Sequence, residues 1–99
     1  MPPYYLIADV RIDDKDEYGK YMQLAKPLAE SYGGDYLVRG GDFEVLEGDY
    51  FSPRRLVLIR FPDKQSCDDF YNDPDYQAAR TIRLPAGDMT LIGVEGGTF

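Results

Sequence analysis

The sequence predicts an α+β domain built on one four-stranded antiparallel sheet. Runs rich in aromatic and β-branched residues alternate with stretches of helical period, in the order strand, helix, strand, strand, helix, strand. That order is the split ferredoxin-like motif. The chain has 99 residues, the size of a single hydrophobic core, so residues 1–99 read as one domain. Its apolar share of 43%, with nine Tyr and five Phe, suits a packed globule rather than a disordered segment.

Tyr4 to Ile12 reads as the first strand, ended by the turn pair Asp13-Asp14. Asp14 with Glu17 three residues on forms a capping box with Asp in the usual Ser or Thr place. From there Tyr18, Tyr21, Met22, Ala25, Leu28 and Ala29 recur at helical spacing. Pro27 sits inside that stripe, where it removes a backbone donor and crowds the preceding turn, so a kink or break is expected near Lys26. Gly33-Gly34 supplies the positive-φ stop. Asp35 to Glu47 is extended, with a bulge or bend expected at Gly40-Gly41.

Gly48 to Pro53 is a loop leading into Arg55 to Phe61, the clearest strand. Pro62-Asp63 ends it and caps a second helix with Cys67, Phe70 and Tyr71 on its inner face. Asn72-Asp73-Pro74 breaks that helix and starts another turn or two, with Asp as cap and Pro at the first helical position. Leu84-Pro-Ala-Gly87 closes it, Asp88 to Glu95 is the last strand, and Gly96 to Phe99 reads as a loose tail.

Two helices cover only one face of such a sheet. Alternation groups Tyr5, Ile7, Val57, Ile59, Met89 and Leu91 on one face, and Leu6, Ala8, Val10, Leu56, Leu58, Ile92 and Val94 on the other. Two apolar faces need two covers, and a second copy of the chain is the economical second cover.

Eighteen acidic against eleven basic side chains leave a formal charge of −7, which repels phosphate backbones and anionic lipid. Nucleic acid and membrane surfaces are therefore not expected partners. The lone Cys67 excludes an intramolecular disulfide and suits a reducing cytoplasm. No basic-then-apolar leader precedes Tyr4, and no apolar run approaches the roughly 20 residues of a membrane span.

The segments Tyr36-Leu-Val-Arg-Gly-Gly41, Glu47-Gly-Asp, Pro53-Arg-Arg-Leu-Val-Leu-Ile-Arg-Phe-Pro62, Asp73-Pro-Asp-Tyr-Gln-Ala-Ala-Arg80 and Val94-Glu-Gly96 occur in that order. Across Tyr4 to Gly96 they resemble a small bacterial family called domain of unknown function 1330. The resemblance implies two ferredoxin-like sheets packed face to face as a dimeric α/β barrel, and it implies no established reaction. It also implies that Asp73–Arg80 forms a lid over one end of the barrel. The chain departs from the family's habits at Arg60, often acidic there, and at Tyr50 and Phe70, where tryptophan is common. It has no Trp at all.

The absence of histidine rules out a Ser-His-Asp triad, a histidine base, a histidine-ligated haem and a His-rich zinc site. No acidic run has the calcium-loop pattern, and no glycine pair has phosphate-loop or dinucleotide spacing, so no metal or cofactor is expected. What remains is charge inside strands. Asp9 interrupts an apolar strand on the side away from the helices. Arg39 stands just before the expected bulge, where bulges often re-aim a side chain. Together they make either a two-pronged grip on a carboxylate or enolate ligand, or a structural ion pair fixing the dimer register.

Tyr76 and Arg80, one helical turn apart, are the other ligand-binding candidates, with docking of the Asp73 turn onto the core as the plainer role for Tyr76. Arg54 and Arg55 reach the loop mouth, and Arg60 is placed at the helix side. Tyr18 and Tyr21 read as core. No catalytic residue is assigned: proton transfer near neutral pH falls to Asp9, Glu95 or a buried tyrosine. The expected function is a cytoplasmic homodimer that binds a small carboxylate, carbonyl or phenolic metabolite near Asp9 and Arg39, with catalysis undecided. Analogy with other dimeric barrels points to proton transfer or oxygenation. The alternative is a non-catalytic structural or protein-interaction homodimer.

Overall fold

The computed structural model describes residues 2–97. Strand β1 (Tyr4–Ile12) leads to helix α1 (Lys15–Ser31), then β2 (Asp35–Arg39), β3 (Leu56–Phe61), α2 (Lys64–Asn72), α3 (Pro74–Arg83), a 3₁₀ turn (Leu84–Ala86) and β4 (Gly87–Glu95). The sheet is antiparallel throughout in the order β2-β3-β1-β4. No helix among the described residues is long and apolar enough to cross a membrane.

The helix ends follow local chemistry. Asp14, Asp63 and Asp73 each accept a first-turn amide, from Glu17, Ser66 and Asp75 at 3.1, 2.8 and 2.7 Å. Gly33, at φ +85°, turns the chain out of α1. Helix α1 runs unbroken through Pro27, against the expected break. Gln23, whose carbonyl loses its donor, and Pro27 are both exposed, so water can serve the freed group. Gly96, assigned to the loose tail, is more tied than expected, because its N–H donates to the Pro3 carbonyl at 2.8 Å. Thr98 and Phe99, also assigned to the loose tail, lie outside the described residues.

Register corrects the assignment of faces. In β1–β3, Leu6 lies opposite Ile59 and Ala8 opposite Val57; in β1–β4, Ala8 lies opposite Leu91. Even positions of β1 therefore share a face with odd positions of β3 and β4. The helix face holds Leu6, Ala8, Val10, Val57, Ile59 and Phe61, with Met89 and Leu91 packed beside them. The other face holds Tyr5, Ile7, Asp9, Leu56, Leu58, Ile92 and Val94, and Arg60 belongs there too, opposite Tyr5. Alternation within a strand is local, but the match between strands depends on where each pairing begins.

The bulge is also displaced. It falls between Tyr36 and Val38 rather than at Gly40-Gly41. One extra residue there reverses the alternation, so Arg39, opposite Val57, shares the helix face with Tyr36, opposite Ile59. Pairing with β3 stops at Arg39 instead of running on to Glu47. Gly40 turns away at φ +75°, and a Cβ there would stand 2.6 Å from the Arg55 guanidinium carbon.

Helix α1 turns Tyr18, Tyr21, Ala25 and Ala29 inward, and α2 adds Cys67 and Phe70. Phe61 and Phe70 stack at 5.6 Å between ring centroids. The molecule measures 39 × 33 × 17 Å, and its thin dimension is one sheet plus one helical layer. At the start of β4, Gly87 lies so close to β1 that a Cβ would approach the Arg11 carbonyl oxygen to 1.9 Å. Gly87→Ala should therefore destabilise the fold by about 1–3 kcal/mol, as overpacking against backbone does. Urea unfolding measures it, and an unchanged midpoint would show that β4 yields freely.

Candidate functional site

The sheet's helix face and the inner sides of α1 and α3 enclose a cavity. Leu6, Ala8, Val57 and Ile59 form its floor, and Tyr18, Tyr21, Tyr36 and Tyr76 line its walls. The space open to the centre of a water molecule is about 20 Å³, room for little more than one water. With the crevice leading to it, the empty space is about 340 Å³. A larger guest enters only if a wall yields, and half-buried Met22 and Met89 are the adaptable walls.

Tyr18 and Tyr21 stand three residues apart on α1 with rings 5.6 Å apart. Tyr76, which is 1% exposed, comes from α3 and sits 4.5 Å from the Phe70 ring. Its hydroxyl lies 2.9 Å from that of Tyr21. Burial pushes the Tyr18, Tyr21 and Tyr36 hydroxyls above the ordinary phenol range, and at Tyr21 the Tyr76 hydroxyl adds to the effect. These phenols stay protonated at neutral pH and act as hydrogen-bond donors, not as bases.

Three guanidinium groups stand over three of these rings. Arg39 lies 5.7 Å from the Tyr36 ring centre, Arg55 lies 5.9 Å from that of Tyr18, and Arg83 lies 5.4 Å from that of Tyr21. Arg55 is steadied by donating from Nη2 to the Arg39 carbonyl at 3.2 Å. Its positive charge, with those of Arg83 and Arg39, opposes the effect of burial on Tyr18. Arg83, the last residue of α3, is 7% exposed, and its Nε has no hydrogen-bond partner among the described residues. The Nε of Arg80 is in the same condition.

The structure does not bring Asp9 and Arg39 together. Asp9 lies on the face away from the helices, while the bulge turns Arg39 to the helix face. The Asp9 carboxylate accepts the backbone amides of Arg54 at 2.8 Å and Arg55 at 3.2 Å, so it fastens the end of the long β2–β3 segment to the sheet. Tyr76 is deep core as well as cavity wall, and Arg80 is partly buried beside it on α3. Glu95 ends β4 opposite Tyr4, exposed and outside the cavity lining. Burial pushes the buried Cys67 thiol up to about 11, so it is not a ready nucleophile.

Tyr36 lines the cavity and Arg83 stands over the Tyr21 ring, and neither is assigned to a ligand site from the sequence. Only the bulge and the chain reversal after α3 reveal them. The tyrosine pair offers a direct test. Either single change, Tyr21→Phe or Tyr76→Phe, strands one buried hydroxyl and should cost about 1–3 kcal/mol, whereas the double variant should cost less than the sum. Chemical unfolding of the four proteins measures this coupling, and strict additivity would deny the bond.

With this geometry in hand, comparison with known proteins places the fold. No curated protein matches the chain. A protein of unknown function from Rhodopseudomonas palustris superposes with a TM-score of 0.77 at 20% identity, over 98% of this chain and 84% of that one. A dimeric ferredoxin-like protein of unknown function from Jannaschia sp. gives 0.61 at 13% identity, over 95% and 99%. The hydroxynitrile lyase of Passiflora edulis gives 0.72 at 9% identity, over 99% and 96%. Likeness at such low identity shows a shared ferredoxin-like fold. A family model described as domain of unknown function (DUF1330) matches residues 3–97, and the chain belongs to that family.

Proposed function

We propose that this protein binds a small, flat carbonyl, carboxylate or phenolic metabolite in the tyrosine-lined cavity. The observation that carries this reading is the Tyr21–Tyr76 hydroxyl pair, 2.9 Å apart and buried. Two phenols bring two protons, and their mutual bond uses only one. The other hydroxyl proton is left to donate, in a cavity whose remaining lining is apolar apart from the Tyr18 and Tyr36 hydroxyls. An acceptor oxygen on a flat guest would take it, and the rings would pack against the guest's faces. Arg39 stands at the Tyr36 rim of this cavity, and Tyr76 and Arg80 lie along the α3 side. Asp9 is read here as structural.

The groups lining the cavity donate hydrogen bonds, and no carboxylate is among them. They can bind and polarise a carbonyl, but a proton acceptor would have to arrive with the guest. That favours a binding protein over a proton-abstracting enzyme. The Passiflora edulis protein shows only that the same fold can carry a lyase.

We also propose that the chain works as a homodimer, joined through the open face of the sheet. Ile92 and Val94 there are 54% and 44% exposed, and Ile7 and Leu58 lie beside them. The β2–β3 segment adds Phe43, Val45, Leu46, Tyr50 and Phe51, all exposed. Exposed apolar side chains in this number favour a partner. Related folds from Jannaschia sp. and Thermobifida fusca are described as dimeric.

Two measurements test these readings. A thermal-shift screen with aromatic acids, phenols and small ketones should yield a guest that adds about 2.7 kcal/mol at a hundred times its Kd. That gain should vanish in the Tyr21→Phe/Tyr76→Phe protein; a guest bound equally well by the double variant would remove the cavity from consideration. Light scattering should give twice the 11.3 kDa chain mass, reduced to a single chain by Leu58→Lys. A wild-type monomer would end the dimer reading.

A further inference from the structure

Resting on the cavity reading above, we propose that the guest is an anion, a flat carboxylate, and that Arg83 with Arg55 holds its charge at the rim over Tyr21 and Tyr18. The argument begins with an imbalance. The chain carries 18 acidic residues against 11 basic ones, so a basic side chain should find an acidic partner easily. Four of the eleven do: Arg11 pairs with Asp13 and Asp88, Lys20 with Glu17, Lys26 with Glu30 and Lys64 with Asp68, while Lys15, Arg54, Arg60 and Arg80 form no ion pair among the described residues. Arg39, Arg55 and Arg83 have no carboxylate within ion-pair distance among the described residues.

For an exposed arginine this would mean little, but Arg83 is 7% exposed and its Nε is without a partner. A buried cation is costly unless something negative or electron-rich faces it. The Tyr21 ring and the carbonyl end of α3 meet part of that need. Neither supplies the two parallel acceptors that a guanidinium fork matches, and a carboxylate does.

The second arginine is held by construction. Arg55 Nη2 donates to the Arg39 carbonyl, and the missing side chain of Gly40 leaves room for its guanidinium. Arg55 and Arg83 thus stand over two tyrosine rings whose centres are 5.6 Å apart. A ring-bearing carboxylate could place its charge between them, with its flat body among the tyrosines and, in a hydroxylated ring, the second oxygen near the hydroxyl pair.

Benzoate and 4-hydroxybenzoate, their neutral amides and inorganic phosphate are the probes, titrated calorimetrically into the full chain. The acids should bind roughly tenfold or more tighter than the amides, with phosphate alone weak. Arg83→Met, which replaces the fork by an unbranched apolar chain, should erase the preference for acid over amide. The same change should leave the unliganded protein as stable or more so, because it removes an uncompensated buried charge. In the wild type, the Arg83 Nε–H NMR resonance, assigned with Arg83→Lys, should move with benzoate and not with benzamide, which keeps the test open if Arg83→Met folds badly.

Acid and amide binding equally would overturn the anion proposal and leave the cavity reading standing. Phosphate binding as tightly as benzoate would overturn the carboxylate class. A less stable Arg83→Met protein with its acid preference intact would assign Arg83 to structure alone, and binding of no probe by the wild type would sink both readings.

Discussion

Everything in this fold depends on the offset at which β1 pairs with its two neighbours. Both antiparallel pairings set even positions of β1 against odd positions of β3 and β4. That offset gathers Leu6, Ala8, Val10, Val57, Ile59 and Phe61 under the helices. A slip of one residue in either pairing would turn a whole strand over, exposing its apolar side chains to water and burying Asp9 or Arg60. Because β1 is central, the cavity floor, the open face and the seat of each charged strand residue all inherit its register.

On that platform the site is assembled from aromatic hydroxyls and guanidinium groups without histidine or an acidic partner. Tyrosine does two things there. Its ring faces tolerate the arginines stacked on them, and its hydroxyls keep the interior polar without adding charge. Burial raises the pKa of Tyr18, Tyr21 and Tyr36, so the walls hold their protons across the physiological range. On a chain of net charge −7, Arg39, Arg55 and Arg83 thus set positive charge over the rings of Tyr36, Tyr18 and Tyr21.

Features governed by near neighbours were legible in the sequence. Asp14, Asp63 and Asp73 are caps because each precedes a helix by one residue, and Gly33 stops α1 because its backbone must turn left-handed. The element order, and with it the ferredoxin-like fold, follows from such signals. Features set by distant pairings were not legible. Arg60 and Asp9 share a face only through the odd offset between β1 and β3, and Arg39 parts from Asp9 through a bulge marked by no glycine. Tyr18 and Tyr21 were recognisable as an inward stripe. Their place as cavity walls depends on Tyr76, 55 residues beyond Tyr21.

The β2–β3 segment is fastened at both ends within a single rung of the sheet. Gly40 N–H donates to the Leu56 carbonyl at 2.7 Å, and Asp9 grips the amides of Arg54 and Arg55. With its ends fixed so firmly, the stretch between them enters the stability of the fold mainly through loop closure, where doubling the length costs roughly 0.6 kcal/mol. A change of length within residues 41–53 should therefore cost the single chain little, and its main effect should fall on whatever meets the exposed Phe43, Val45, Leu46, Tyr50 and Phe51.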